Sequence, residues 1–560
     1  MKQVFERIRR LLLPAAAAAL TASLLLPVHS AQATTGLDPF DAQFTLTRVD
    51  GDKKNLISSA ESAGVATASV TDVLNSRTGR ANLCHGTGLN GTLKYDGFCW
   101  DPDDDRTGYT DAGGGWMPQG FTGSHDAYSG GLYAGRHLYI ASWYYGKYAD
   151  NDPHEEYTRI SIAQSDGEQV TYGHVALVEP VNGNFKELAN KSHADGVAWY
   201  GNRLFVANGV ELQVYDLTHL WSMNDTSNSA TGLNGGRTSA RYHRWALPLL
   251  ARYTTKPGVV PDTDPHPFPA GNPPRTCGPA NGVLCLSSLS VDRSTSSLIS
   301  VESVDEADSR IVRWPLAELG AGLPTQVKSA PEGYITSVWK VQGAATDGKN
   351  FYISGECPKS WPSGYSCVHM AAKNEATRVI TQAPALTESL SWDPNAGRLW
   401  GLNEALEDDT VGPKRVVFSI NPSAGAAVDG WGWMSNFKKP GFTCATPKGD
   451  GTANGTIVTV WHCIGSESQR WSFQDGRLVN KASGKCLTPQ GDAEDTNGAV
   501  LTLWTCNSNS SQLFGQDGGA ITNNLGKAVT PKGDSLTDGT YLTLWSKTGG
   551  DSQEWRVKGF

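Results

Sequence analysis

The stretch Thr443–Trp471, TCATPKGDGTANGTIVTVWHCIGSESQRW, ends in Gln-x-Trp and holds two cysteines, Cys444 and Cys463. It returns twice. Cys486 takes the place of Cys444 in KCLTPQGDAEDTNGAVLTLWTCNSNSSQLF, and Ala528, one equal step further on, takes it in KAVTPKGDSLTDGTYLTLWSKTGGDSQEW. Aligned on this step, Thr446, Thr488 and Thr530 share a column, as do Asp450, Asp492 and Asp534. Trp461, Trp504 and Trp545 form another, followed by Gln469, Gln512 and Gln553, then Trp471, Phe514 and Trp555. Each copy alternates apolar and polar residues in short strands (TIVTVW, AVLTLW, YLTLW) between Gly- and Asp-rich turns. One copy is too small to bury a core alone. Three copies can close on one another, with the aromatic of Gln-x-Trp filling the shared centre.

On the spacing, the cysteines and the Gln-x-Trp endings together, residues 430–560 resemble the ricin B-type β-trefoil lectin domain. The resemblance implies that one face of each unit binds sugar. The family uses an Asp two residues after the first Cys, a stacking aromatic before the second, and an Asn just before the motif Gln. Here the aromatics are Trp461, Trp504 and Trp545, but Thr446, Thr488 and Thr530 replace the Asp and Ser468, Ser511 and Ser552 replace the Asn. A sugar hydroxyl pair is held best by a charge-assisted bond, so these exchanges weaken or redirect the site. Asp450, Asp492 and Asp534 are the substitutes in reach, and Gln469, Gln512 and Gln553 complete the expected sugar-binding set. The alternatives are a Gly-Asp turn that only caps backbone and a purely structural trefoil. The third unit lacks its disulfide, with Ala528 and Lys547 in the cysteine columns, so its site is expected to be the most mobile.

At the other end, MKQVFERIRR followed by LLLPAAAAALTASLLLPVHSAQA has the charged start, apolar run and small-x-small ending (Ala31-Gln32-Ala33) of a secretory signal, read as residues 1–33. No later stretch approaches the roughly 18 apolar residues of a spanning helix. Removing the signal takes away four basic residues and one acid, moving the formal charge from −9 to −12. An acidic exported chain is a poor electrostatic partner for nucleic acid or anionic membrane. Abundant Gly and 18 Trp suit short strands, tight turns and flat surfaces that stack on sugars. The ten cysteines form local couples: Cys84 with Cys99, Cys277 with Cys285, Cys357 with Cys367, Cys444 with Cys463, and Cys486 with Cys506. None has zinc-site spacing, and export favours disulfides.

Between Thr34 and Asp429 the chain shows no helical periodicity. A looser pattern recurs: a polar start, an apolar strand, a turn, and a second apolar strand ending in polar residues. The copies are PQGFTGSHDAYSGGLYAGRHLYIASW, ADGVAWYGNRLFVANG, SSLSVDRSTSSLISVES, VQGAATDGKNFYISGE and ESLSWDPNAGRLWGLNE. Up-down strands repeated this way are the signature of propeller blades. The count is five, with the segment before Trp116 and the region 240–284 left for outer strands or a sixth blade. The run FCWDPDDDRTGYTDAGGGWMPQGFTGSHDA, with YGHVALVEP and HADGVAWYGNRLFVA, resembles a group of uncharacterised secreted bacterial propeller proteins. That resemblance implies fold and export, and no reaction.

In a blade the first strand begins and the second ends on one rim. First-strand starts place Gln119, His193, Asp195, Ser288, Gln342 and Glu388 there; second-strand ends add Ser142, Trp143, Asn208, Glu302, Glu356, Asn403 and Glu404. The bland reading is a set of ties around the channel. The functional reading takes Asp195, Glu302, Glu356, Glu388 and Glu404 as catalytic acids and Gln119, Trp143, His193, Asn208 and Gln342 as pocket residues. Asp101, Asp103, Asp104 and Asp105 read as a solvated turn rather than a calcium loop. No G-x-S-x-G, H-E-x-x-H, P-loop or dinucleotide motif is present. The expectation is an all-β, exported, monomeric protein: a five-bladed β-propeller over residues 34–429, then a trefoil over 430–560. Its partner is a polysaccharide, and no cofactor is called for unless the acidic rim holds calcium. Two functions follow: a hydrolase or lyase using paired carboxylates, or a non-catalytic adhesin.

Overall fold

The computed structural model describes residues 37–558 apart from 77–78, 85–96, 102–103, 105–114, 147–156, 166–168, 189–191, 259–276, 280–281, 304–307, 358–365, 374, 376, 385, 405–414, 423–430, 437–442, 464–465 and 518. The signal sequence expected at 1–33 lies outside the described residues.

All five up-down pairs read in the sequence are antiparallel hairpins: Gly115–Gly123 with Leu138–Gly146, Gly196–Tyr200 with Arg203–Asn208, Ser288–Asp292 with Ser297–Val301, Gly343–Thr346 with Asn350–Glu356, and Thr387–Asp393 with Arg398–Asn403. Three of the turns are fixed by their own first residue. Asp292 accepts from the Ser294 and Thr295 amides, Asp347 from Lys349 and Asn350, and Asp393 from Asn395 and Ala396. Such a carboxylate imitates a backbone turn, so DRST, DGKN and DPNA reverse the chain where they stand.

Each hairpin extends to four strands. The first sheet adds Thr158–Ser165 and Gln169–Val181; the second adds Glu211–Asp216 and Trp245–Thr254; the third adds Ser309–Pro315 and Glu332–Thr336; the fourth adds Ser366–Ala372 and Arg378–Ala383. The fifth adds Val416–Ile420 and then Gly97–Cys99, a strand from the start of the chain. Gly79–Cys84 pairs with both Gly97–Cys99 and Gln169–Val181, joining the fifth sheet to the first. The segments left unassigned before Trp116 and within 240–284 thus supply outer strands.

The five first strands lie against one another in cyclic order, the last returning to the first, so the arrangement is propeller-like. They are buried almost throughout. Close approach at the centre needs glycine: a Cβ on Gly120 would come within 2.4 Å of the Val197 amide, and one on Gly196 within 2.4 Å of Leu289. Hydroxyls tie neighbouring sheets. Ser142 Oγ accepts from the Gly120 amide and donates to Ala194 O, and Ser354 Oγ donates to Glu388 O. The absence of helical periodicity has a limit, because Lys54–Ser62, Val70–Asn75, Ser124–Ala127 and Leu316–Ala321 are helical. These helices are too short to show a period, and Val70–Asn75 is set by a Ser69/Asp72 capping box.

From Gly432 onward the strands form sheets of their own. Gly432–Asn436 pairs with Thr443–Pro447, Arg470–Gln474 and the final strand Trp555–Lys558, so the beginning and end of the repeat meet. Trp471, Phe514 and Trp555 gather in one buried cluster with Val460, Leu503 and Leu544, the shared centre that one unit could not provide. Disulfides join Cys277–Cys285, Cys357–Cys367, Cys444–Cys463 and Cys486–Cys506. Cys99 is also disulfide-bonded, while the Cys84 side chain lies outside the described residues. In the third trefoil unit Ala528 is buried, and Lys547 forms an ion pair with Asp517 at 2.7 Å.

Candidate functional site

Two of the first strands carry a β-bulge at the same end of the ring. In Thr387–Asp393 the register shifts between Thr387 and Leu390, and in Gly115–Gly123 between Pro118 and Phe121. A bulge inserts an extra residue and re-aims its side chain. In the first case Glu388 and Ser389 stand against Leu402, and Glu388 is buried. Its carboxyl is held well above the usual carboxylate range, first by burial and then by the negative charges of Glu404 and Asp195. Glu404 follows the strand Arg398–Asn403, is buried, and accepts from Tyr144 Oη at 3.1 Å. Asp195 precedes Gly196–Tyr200 and is partly open to solvent.

His193 stands over this trio. Its Nδ1 lies 2.7 Å from Asp195 Oδ1, and its ring stacks on Tyr144 with centroids 3.8 Å apart. Asp195 Oδ2 accepts from the Gly209 amide, and Asn208 Oδ1 accepts from the His193 amide. Ala194, between His193 and Asp195, has φ +55°, a strained conformation for a residue with a Cβ and one that recurs at functional sites. The centre therefore offers one carboxyl held well above the usual range, two further carboxyl groups, an oriented imidazole and a phenol. A protonated and an ionised carboxyl side by side can donate and accept a proton in one reaction.

Of the five acids read as catalytic, Asp195, Glu388 and Glu404 come together, whereas Glu302 and Glu356 do not. Glu302 is fully buried, accepts from the Cys285 amide at 3.0 Å and is bound at both oxygens by Arg310, at 2.6 and 2.5 Å. It is a tie between a strand end and its neighbour. Glu356 is exposed, 3.5 Å from Lys340 Nζ. Among the pocket residues, His193 and Asn208 reach the trio. Gln119 Nε2 donates to Pro118 O, and Gln342 Oε1 accepts from Ser303 Oγ. Trp143 belongs to an aromatic core with Trp100 and Tyr172. The sequence reading is off by one residue here: Tyr144, not Trp143, faces the acids. Among the described residues no group of three or more His, Cys, Asp or Glu is placed to hold a metal ion.

The acidic run near residue 100 is another correction. Asp103 and Asp105 lie outside the described residues, but Asp104 is buried, not solvated. Arg159 Nη2 lies 2.5 Å from its Oδ1, and Tyr172 Oη and His174 Nε2 lie 2.6 and 3.0 Å from its Oδ2. Burial opposes the charge of Asp104, yet His174, Arg159 and these hydrogen bonds outweigh it and hold the carboxyl below the usual range.

In the trefoil, Trp461, Trp504 and Trp545 are exposed. The motif glutamines are not available to sugar. Gln469, Gln512 and Gln553 are buried, and each Nε2 donates to the threonine of its own unit, Thr446, Thr488 or Thr530, at 2.9–3.0 Å. They tie each unit together from inside. Asp450, Asp492 and Asp534 are exposed at positive φ, and each accepts from the serine that replaces the expected asparagine, Ser468, Ser511 or Ser552. Each aromatic also borders a neighbouring unit. Asn454 Oδ1 accepts from the Thr505 amide beside Trp504, and Asp538 Oδ1 accepts from the His462 amide beside Trp461.

Residues 433–555 match the ricin-type beta-trefoil lectin domain, and this part of the chain is such a domain. No curated protein matches the chain. Among solved structures, a designed 3-fold symmetric protein, ThreeFoil, is 24% identical over 23% of this chain and 99% of its own, with a TM-score of 0.21. The C-half of the earthworm R-type lectin in complex with GalNAc is 12% identical over 23% of this chain and 98% of its own, with a TM-score of 0.21. An exo-beta-1,3-galactanase from Clostridium thermocellum is 12% identical over 75% of this chain and 94% of its own, with a TM-score of 0.25.

Proposed function

We propose that the chain is an exported polysaccharide hydrolase, in which a five-bladed propeller cleaves a glycan and the trefoil holds it. Five four-stranded sheets with cyclically adjacent first strands support the blade count. Four described disulfides fit an oxidising compartment. Among the described residues no helix is long and apolar enough to cross a membrane. The trefoil supports sugar binding through three exposed indoles, each a face for stacking.

The observation that carries the catalytic reading is the buried Glu388 carboxyl beside Glu404 and Asp195. In this reading Glu388 gives its proton to the glycosidic oxygen as the bond to the anomeric carbon breaks. Asp195, the most open of the three and steadied by His193, takes a proton from the attacking water, whose hydroxyl ends on the anomeric carbon. Burial and then the charge of Glu404 raise the Glu388 carboxyl, and Tyr144 holds Glu404 in place. Incubation of the secreted protein with a panel of polysaccharides, scored by new reducing ends, tests this. Glu388→Gln is expected to lower turnover by about 10²–10⁴-fold while leaving retention on insoluble glycan unchanged. A wild-type protein that binds glycan but releases no reducing ends would leave a non-catalytic adhesin.

A further inference from the structure

A cavity of about 490 Å³ lies on the far side of the strand that delivers Tyr144, because the next residue, Tyr145, lines it. Successive residues of a strand face opposite ways. Trp116, Tyr145 and Tyr157 form aromatic walls, and the segment from Arg241 to Arg244 forms a lip. The Arg159 guanidinium lies 4.1 Å from the centre of the Trp116 ring, and that of Arg241 lies 4.8 Å from the centre of Tyr157. Among the described residues no Asp or Glu lines the cavity.

Arg159 is paired with Asp104 at 2.5 Å and Arg241 with Glu187 at 3.1 Å, both carboxylates lying outside the lining. His243 is neutral, its pKa pushed down to about 3 by burial and by Arg159 and His174. Its Nδ1 donates to Arg241 O at 2.7 Å, which leaves Nε2 as an acceptor. His174 Nε2 lies 3.0 Å from Asp104 Oδ2, so that ring belongs to the Asp104 cluster. Arg244 is exposed, donates to Met223 O at 3.0 Å and, among the described residues, has no carboxylate partner. The lip itself is strained. Arg241 and Tyr242 both sit at positive φ, +41° and +64°, a conformation that residues with a Cβ rarely adopt and that recurs at ligand clamps.

We propose that this cavity binds one sugar ring carrying a single negative charge, a uronate or a sulfate ester, as an acidic unit of the glycan. The aromatic walls suit the apolar face of a pyranose, the arginines suit a planar or tripodal anion, and the His243 acceptor suits a ring hydroxyl. The volume falls within the roughly 300–1,000 Å³ of small-molecule sites. A neutral sugar would leave the Arg244 guanidinium without an ionic partner. The site does not rest on hydrolysis at Glu388, and its readout is binding alone.

Calorimetric titration of the full secreted chain with glucuronate, galactose 6-sulfate and glucose tests the assignment. At least one charged sugar is expected to bind about tenfold or more tightly than glucose, and which of the two does so tells uronate from sulfate ester. Arg244→Gln, at an exposed position, is expected to remove that preference, and Tyr242→Ala to weaken the charged sugar by about fivefold. Preference should persist when Trp461, Trp504 and Trp545 are all changed to Ala, which separates this cavity from the trefoil. Equal affinity for glucose, a preference that survives Arg244→Gln, or one that vanishes with the trefoil indoles would overturn it.

Discussion

Glu388 illustrates how much a single residue's surroundings decide. Its carboxyl is raised by burial and by two neighbouring anions, so the folded chain keeps a proton that the unfolded chain has lost above about pH 4.3. Between that value and the raised value in the folded protein, the folded state binds the extra proton, and stability therefore falls as pH rises through the window. Glu388→Gln, a neutral isostere, removes this dependence. Its melting temperature is expected to gain on the wild type from pH 5 to pH 8, and a constant difference across that range would contradict the assignment. Glu302 lies at the opposite extreme, with both oxygens bound by Arg310. Arg310→Met would strand a fully buried carboxylate, and a loss of about 3–5 kcal/mol in urea unfolding is expected. A stable variant with altered turnover instead would return Glu302 to the catalytic set.

At the scale of the element, the hairpins are legible because their signals are local. Alternating apolar residues and an Asp-led turn share one short stretch of sequence, as in VQGAATDGKNFYISGE, and the carboxylate of Asp347 then caps that turn. The bulges are not legible. Two residues, Gln119 and Gly120, stand against one, Ser142, and nothing in PQGF announces the extra residue. Trp143 and Tyr144 are neighbours on Leu138–Gly146, where successive side chains face opposite ways, and a strand end read from sequence does not say which of the two faces the acids. In the trefoil the repeat points to the indoles, which are exposed, and also to the glutamines, which are buried and hold each unit together. The first two indoles sit in units closed by disulfides; the third unit has only an exposed Lys547–Asp517 pair in that place. A surface pair contributes little. Trp461→Ala or Trp504→Ala should therefore reduce retention on insoluble polysaccharide more than Trp545→Ala, by about 3- to 10-fold per indole. Equal retention by the double variant would make the trefoil structural.

Over the whole molecule, what sequence could not show was closure. The fifth sheet is completed by Gly97–Cys99, which lies far upstream in the chain from its partner strand Val416–Ile420, and pairing at that separation leaves no local pattern. The trefoil closes in the same way, Gly432–Asn436 pairing with Trp555–Lys558, but there the threefold repeat discloses the plan. The two closures draw on different apolar clusters. The apolar cluster around Trp471 and Trp555 draws its members from Met434 to Val557, and the clusters of the ring contain none of them. Independent cores lose cooperativity with one another unless an interface couples them. Calorimetric unfolding is therefore expected to show two transitions. Trp471→Ala, which empties the trefoil centre at a cost of about 3–5 kcal/mol, should lower one of them and leave the other in place. Arg310→Met should lower only the other. If both transitions moved together in either variant, the ring and the trefoil would be a single folding unit, and turnover and retention could no longer be expected to separate.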